Sequence, residues 1–180
     1  MPILLTIILF LFLMSQAGWA ISYTFSTIDF PGAQWTVARD INDSGQIVGE
    51  YNKNARIYGF ITDGVDFIPI VYPQALSTEA YGIGNRGQIV GTYLDGIGRH
   101  GFLKDGLNFS SIDYPGANWS IAFDTVDINN NGMIVGYYSD GSKLHGFLKN
   151  GNNFSSIDYP NSYNTYALGI NNSGQIVGQY

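Results

Sequence analysis

Two histidines, His100 and His145, each open the tetrapeptide His-Gly-Phe-Leu. An imidazole pair can ligate zinc, but such a site needs three or four ligands, and the chain has no cysteine to supply the rest. In so short an apolar stretch, a histidine that bridges strands by hydrogen bonding is the better reading. Three aspartates, Asp29, Asp113 and Asp158, also share one position, each ahead of an aromatic residue and a proline. Repeated carboxylates at the mouth of an array can serve glycoside chemistry, which uses a carboxylate pair. One copy carries Val71 instead, and nothing in the sequence separates an acid from a base. Capping of the following turn suits a repeated position better.

Oxygen-bearing residues alternate at Asp40, Asn42 and Ser44 before Gly45, and at Asp127, Asn129 and Asn131 before Gly132. This is the spacing of half a calcium loop. Calcium takes roughly six to eight oxygens, usually with a closing glutamate. Here that position is Tyr51 or Tyr138, and two further copies begin with Gly82 and Gly169. A plain turn is therefore expected, with calcium as the weaker reading and no other cofactor. Trp35 and Trp119 each stand four residues after a proline, and Tyr163 falls near the same place in a third copy. Loop aromatics beside Asn and Gln can form a sugar- or peptide-binding face; the competing expectation is packing as core. Asn42, Asn108, Asn118, Asn153 and Asn171 are N-x-S/T acceptors, relevant only in a glycosylating pathway. Nucleophile-elbow, P-loop and dinucleotide fingerprints are absent from the sequence.

The elements that carry these residues recur. Gly-Gln-Ile-Val-Gly stands at Gly45–Gly49, Gly87–Gly91 and Gly174–Gly178, and with Met133 in place of Gln at Gly132–Gly136, giving spacings of 42, 45 and 42 residues. Periods of this size signal stacked repeats. Each unit reads in the same order. First comes an aromatic, β-branched segment ending in proline (Phe25–Pro31, Phe67–Pro73, Phe109–Pro115, Phe154–Pro160). Next is a strand running to Ile41, Ile83, Ile128 or Ile170, followed by a turn ending in glycine. The opening phrase forms the third strand. The fourth is Tyr58–Ile61, His100–Leu103 or His145–Leu148, closed by Asp-Gly or Asn-Gly. The longer spacing comes from three extra residues in Ser120–Ile128. Glycines inside strands fit only where another backbone comes close, which is expected here between sheets or near a central axis.

The chain has 180 residues, a net charge of −6, 23 glycines, 13 tyrosines and 11 phenylalanines. Acidity with no basic run argues against nucleic acid as a partner. Ile3–Met14 is almost wholly apolar, and Gly18 and Ala20 suit a signal-peptidase site. Such a core is short for a membrane span of about 20 residues.

The decapeptide Gly169–Gly178, with His100–Leu103 and His145–Leu148, resembles the HAF repeat family, described as probable bacterial extracellular repeats. That resemblance covers everything after the leader and implies secretion and a β-propeller-like array. It implies no catalytic residues.

The expectation is thus an all-β, β-propeller-like array of four four-stranded units of about 42 residues. Fifteen strands are counted, the last unit being incomplete, so an open arc or a small four-bladed ring results. Residues 1–20 read as a signal peptide and 21–180 as the repeat domain, in units of about 21–64, 65–106, 107–151 and 152–180. The expected function is a secreted, non-enzymatic protein that presents loops to an extracellular carbohydrate or protein. It would sit outside the cell, at its surface or in a periplasm. A structural matrix component and a polysaccharide-acting enzyme are the alternatives. Open edges would favour self-association.

Overall fold

The computed structural model describes residues 23–118 and 123–180; the expected signal peptide and Trp119 lie outside them. The fold is all-β, an array of four antiparallel sheets of four, four, four and two strands. Sheet one holds β1 (Trp35–Ile41), β2 (Ile47–Lys53), β3 (Arg56–Thr62) and β4 (Phe67–Ile70). Sheet two holds β5 (Ser77–Ile83), β6 (Ile89–Leu94), β7 (Arg99–Asp105) and β8 (Asn108–Ile112). Sheet three holds β9 (Phe123–Ile128), β10 (Ile134–Ser139), β11 (Leu144–Asn150) and β12 (Asn153–Ile157). β13 (Tyr166–Ile170) and β14 (Ile176–Gln179) form the fourth. Within each sheet, strands follow chain order, so every connection is a hairpin.

The sheets cut the repeat one strand later than the sequence units do. Phe67–Ile70 pairs with β3, the strand before it, and not with the strand after. Among the described residues there are 14 strands, not 15, because Phe25–Pro31 forms none. Its sequence suits a strand, but a strand needs a partner, and none of the described strands pairs with it.

Each turn between the first two strands closes with the same backbone bonds, and in all but the second sheet, where Gly84 stands in its place, an asparagine side chain adds to them. Asn42 Oδ1 accepts the N–H groups of Ser44 (3.1 Å) and Gln46 (3.0 Å), and Gly45 adopts φ +77°. An L-residue with a side chain rarely holds that φ, which explains the first glycine of the repeated phrase.

The sheets pack successively. β5 rests on β1, β2 and β3; β9 on β5, β6 and β7; β13 on β9, β10 and β11. The buried centres are Phe60, Phe102 and Phe147, one per four-stranded sheet, with Val48, Val90 and Val135. The aromatic before each proline stacks on the tyrosine that follows the phrase in the next sheet. These pairs are Phe30–Tyr51, Tyr72–Tyr93, Tyr114–Tyr138 and Tyr159–Tyr180, with ring centroids 3.6, 3.7, 3.8 and 3.6 Å apart. Phe109 and Phe154 meet Tyr72 and Tyr114 edge-on. No helix among the described residues is long and apolar enough to cross a membrane.

Candidate functional site

The second glycine of the phrase shapes the centre of the array. In β1, Ala38 pairs with Gly49 and Asp40 with Val48, so Arg39 is an extra, bulged residue. A Cβ on Gly49 would lie 2.0 Å from the Val37 carbonyl oxygen. The first strand thus crosses so close to this glycine that only a missing side chain admits it. Close approach was expected between sheets or near a central axis; at these glycines it occurs within each sheet, whereas a Cβ on Gly59 or Gly146, in the following strand, would meet Ala80 or Ala167 of the next sheet at 3.4 and 3.2 Å. The same crossing faces Gly91, Gly136 and Gly178 at 2.0, 2.0 and 1.9 Å. The bulged residues there are Tyr81, Val126 and Leu168. Bulges re-aim side chains, and these four share one destination. Arg39, Tyr81, Val126 and Leu168 line a single cavity of about 460 Å³, together with Asp40, Asp124, Asp127 and Tyr137. All four sheets contribute to it.

A polar network fixes this lining. Arg99 on β7 donates to Glu79 Oε2 (2.9 Å), to Asp124 Oδ1 (2.8 Å) and to the Tyr81 hydroxyl (2.9 Å). The Tyr81 hydroxyl donates to Glu79, and that of Tyr137 to Asp124. Thr92, fully buried, adds a bond to Asp124 Oδ1 at 3.0 Å. Burial alone would lower the Arg99 pKa, but Asp124 and Glu79 outweigh it and hold the guanidinium charged. Burial, reinforced by these acids, pushes the Tyr81 and Tyr137 phenols up, so both remain donors at neutral pH. Arg39 stands over the Tyr81 ring at 5.5 Å and donates to Glu50 Oε1 at 2.5 Å. Glu50 is 5% exposed, and among the described residues its Oε2 has no hydrogen-bond partner. Burial raises its pKa despite Arg39.

Asp40 and Asp127 join sheets. Asp40 accepts the N–H of Ile41 and, through Oδ2, that of Ile83 in the next sheet, both at 2.8 Å. Asp127 treats Ile128 and Ile170 alike, at 2.7 and 2.8 Å. Gly82 alternates with them because a Cβ there would meet the Asp127 Cα at 3.0 Å. The side-chain oxygens of Asn42 and Asn129, like those of Asp40 and Asp127, thus accept backbone N–H groups. Ser44 and Asn131 sit in the turns beside them. Among the described residues no three His, Asp or Glu side chains converge as a metal site requires.

The structure brings the expected histidines and aspartates together. His100 Nδ1 bonds Asp113 Oδ1 at 2.8 Å, and His145 Nδ1 bonds Asp158 Oδ1 at 2.7 Å. Ser111 and Ser156 donate to the other carboxylate oxygens at 2.6 and 2.7 Å. His145 Nε2 also meets Asp140 at 3.1 Å. The aspartates therefore tie strands together instead of capping the turn that follows, and each serine bonds the carboxylate, not the imidazole. Asp29, the third copy, is exposed. Trp35 is 41% exposed at the start of β1, so it is not core. Tyr163 is 75% exposed, its hydroxyl donating to the Ser142 carbonyl at 3.0 Å. Neither lines the central cavity.

The cavity residues escape a motif search, but they carry a signal. Within the repeated strand, Arg39, Tyr81, Val126 and Leu168 occupy one of two positions whose chemistry changes completely from copy to copy, the other being Val37, Glu79, Asp124 and Tyr166. No family model matches the chain, and no curated protein matches it.

Proposed function

We propose that this chain is a secreted, non-enzymatic repeat protein of HAF-like type that binds an extracellular carbohydrate through its central cavity. One observation carries the reading: four equivalent bulges aim one guanidinium, one phenol and two aliphatic groups into one cavity. A constant scaffold with variable inward residues is the arrangement expected of a recognition site. The surrounding carboxylates, phenols and guanidinium suit hydroxyl-rich ligands, because they offer donors and acceptors already held in place.

A second reading, an enzyme acting on polysaccharide, draws on the convergence of Asp40, Asp124 and Asp127 at this cavity and on the burial-raised pKa of Asp127. The oxygens of these carboxylates already accept backbone N–H, hydroxyl or guanidinium donors, which favours binding over turnover.

The test is a panel of bacterial and plant oligosaccharides, titrated by calorimetry and incubated for reducing-sugar release. Saturable binding, weakened about tenfold or more by Arg39→Ala without sugar release, supports the proposal. Sugar release that Asp127→Asn abolishes supports the second reading. Binding indifferent to Arg39→Ala contradicts the proposal.

A further inference from the structure

Two asparagines in the chain precede a glycine, in Asn131–Gly132 and Asn150–Gly151. A glycine N–H has no side chain beside it to block attack on the preceding side-chain amide. The two pairs sit in turns that treat this reaction oppositely. In the β9–β10 turn the Gly132 N–H donates to the Asn129 carbonyl at 2.9 Å, and Asn131 Nδ2 donates to the Asn172 carbonyl at 3.1 Å. Nucleophile and leaving group are both held. In the β11–β12 hairpin Asn150 pairs with Asn153, which leaves Gly151 and Asn152 as an exposed two-residue tip. Among the described residues neither the Asn150 side-chain amide nor the Gly151 N–H has a hydrogen-bond partner. Gly151 holds φ +57°, and a Cβ there would meet nothing within 4 Å. The space that a ring would need is therefore open.

We propose that Asn150 is a site of spontaneous covalent modification, deamidating through a cyclic imide formed with Gly151. The Gly151 nitrogen bonds to Asn150 Cγ and gives up its proton. The Cγ–Nδ2 bond breaks, and the amide nitrogen takes that proton and leaves as ammonia. Solvent water then opens the ring at either carbonyl. One opening gives aspartate; the other gives isoaspartate, whose main chain is one carbon longer. Either product makes the chain, at a net charge of −6, one charge more negative. The first product already has a counterpart one sheet away. Asp105–Gly106 forms the same tip between β7 and β8: Asp105 pairs with Asn108, and Gly106 also has φ +57°. Lys104 bonds the Gly106 carbonyl there as Lys149 bonds that of Gly151. Asp105 Oδ2 accepts Gln88 Nε2 at 3.0 Å. Aspartate at position 150 therefore fits this hairpin. Isoaspartate does not, because the length of a two-residue turn fixes the register of its strands. It loosens β12 against β11, the pairing on which the His145–Asp158 bond depends.

The test follows the full chain in mildly alkaline buffer by intact mass and peptide mapping, with fragmentation that separates aspartate from isoaspartate. The expected result is amide-to-acid conversion at Asn150, with isoaspartate among the products. Conversion at Asn131 is at least about fivefold slower, because a hydrogen bond must break first. In urea that gap closes, since both turns lose their structure. Asn150→Asp is expected to keep the parent melting temperature and to comigrate with the modified chain on isoelectric focusing. Chain enriched in isoaspartate shows faster amide exchange over Asn153–Ile157. Equal rates at the two asparagines in the folded chain overturn the proposal, as does conversion of Asn150 in urea but not in the folded chain. Neither Asn150 nor Gly151 lines the central cavity, so these outcomes are independent of carbohydrate binding.

Discussion

Asp127 on β9 accepts the backbone N–H of Ile170 on β13 at 2.8 Å, and so holds the fourth sheet to the third by a carboxylate where no strand pairing joins them. Asp40 holds the second sheet to the first in the same way. Removing one partner strands a backbone donor that was satisfied, a cost of roughly 1–3 kcal/mol. Asp127→Ala is expected to lower stability by about that amount in urea denaturation. It should also speed amide exchange at Ile170 more than at Ile83. Equal exchange at the two amides would contradict the assignment.

Glycines within one phrase have different physical reasons, and substitutions separate them. Gly91→Ala puts a Cβ 2.0 Å from the Glu79 carbonyl oxygen. It must open the bulge that carries Tyr81, at a cost of about 3 kcal/mol or more. Gly87→Ala meets no neighbouring atom but must hold φ +77°, costing about 1–2 kcal/mol. Gly96→Ala meets nothing and has no such φ, so it is expected to change stability by less than about 0.5 kcal/mol. Denaturant melts of the three variants should rank in that order.

How much of this was legible in the sequence depends on how local each signal is. The hairpins and their turns follow from Asn-x-x-Gly chemistry and strand patterning over a few neighbours, and they are where the sequence places them. The bulges are not legible, because an extra residue shows only as a shift of register against a partner strand. Phe25–Pro31 reads as a strand for the same reason: its pattern is local, but its pairing is not. His100 and Asp113 were each singled out by repetition, yet their bond joins residues 13 apart through strand pairing. Arg99 carried no motif at all, and its importance arises from burial between Glu79 and Asp124.

Acid pH should act on two groups with opposite sign. Backbone N–H groups of Lys143 and Ser142, then the Ser142 hydroxyl and His145, hold the Asp140 pKa well below the usual carboxylate range. The stability it contributes is present above the ordinary aspartate value and is lost as pH falls towards its lowered one. Burial raises Glu50 above its usual value, so stability there falls as pH rises from the ordinary glutamate range through the raised one. Asp140→Asn should flatten the acid limb of a stability–pH profile, and Glu50→Gln should remove a decline towards neutrality. Profiles that superimpose on the parent would refute both assignments.

The Arg99 network spans two sheets, so its loss should couple to both. Arg99→Met leaves Glu79 and Asp124 buried without their guanidinium, at a cost of about 3–5 kcal/mol. Adding Glu79→Gln should recover part of that loss, because one uncompensated charge disappears. Additive effects in the double variant would argue against a shared network. Urea titrations of the two single variants and the double variant give the comparison.

The central claim is that four bulged residues form one recognition surface. The most direct measurement is an amide NMR titration of the full chain with an oligosaccharide that binds in the panel. The account predicts that the largest shift changes fall on Arg39, Tyr81, Val126 and Leu168, with little change at Trp35 and Tyr163. Changes centred on Trp35 and Tyr163 instead would contradict it and move recognition to the loops at the other end of the innermost strands.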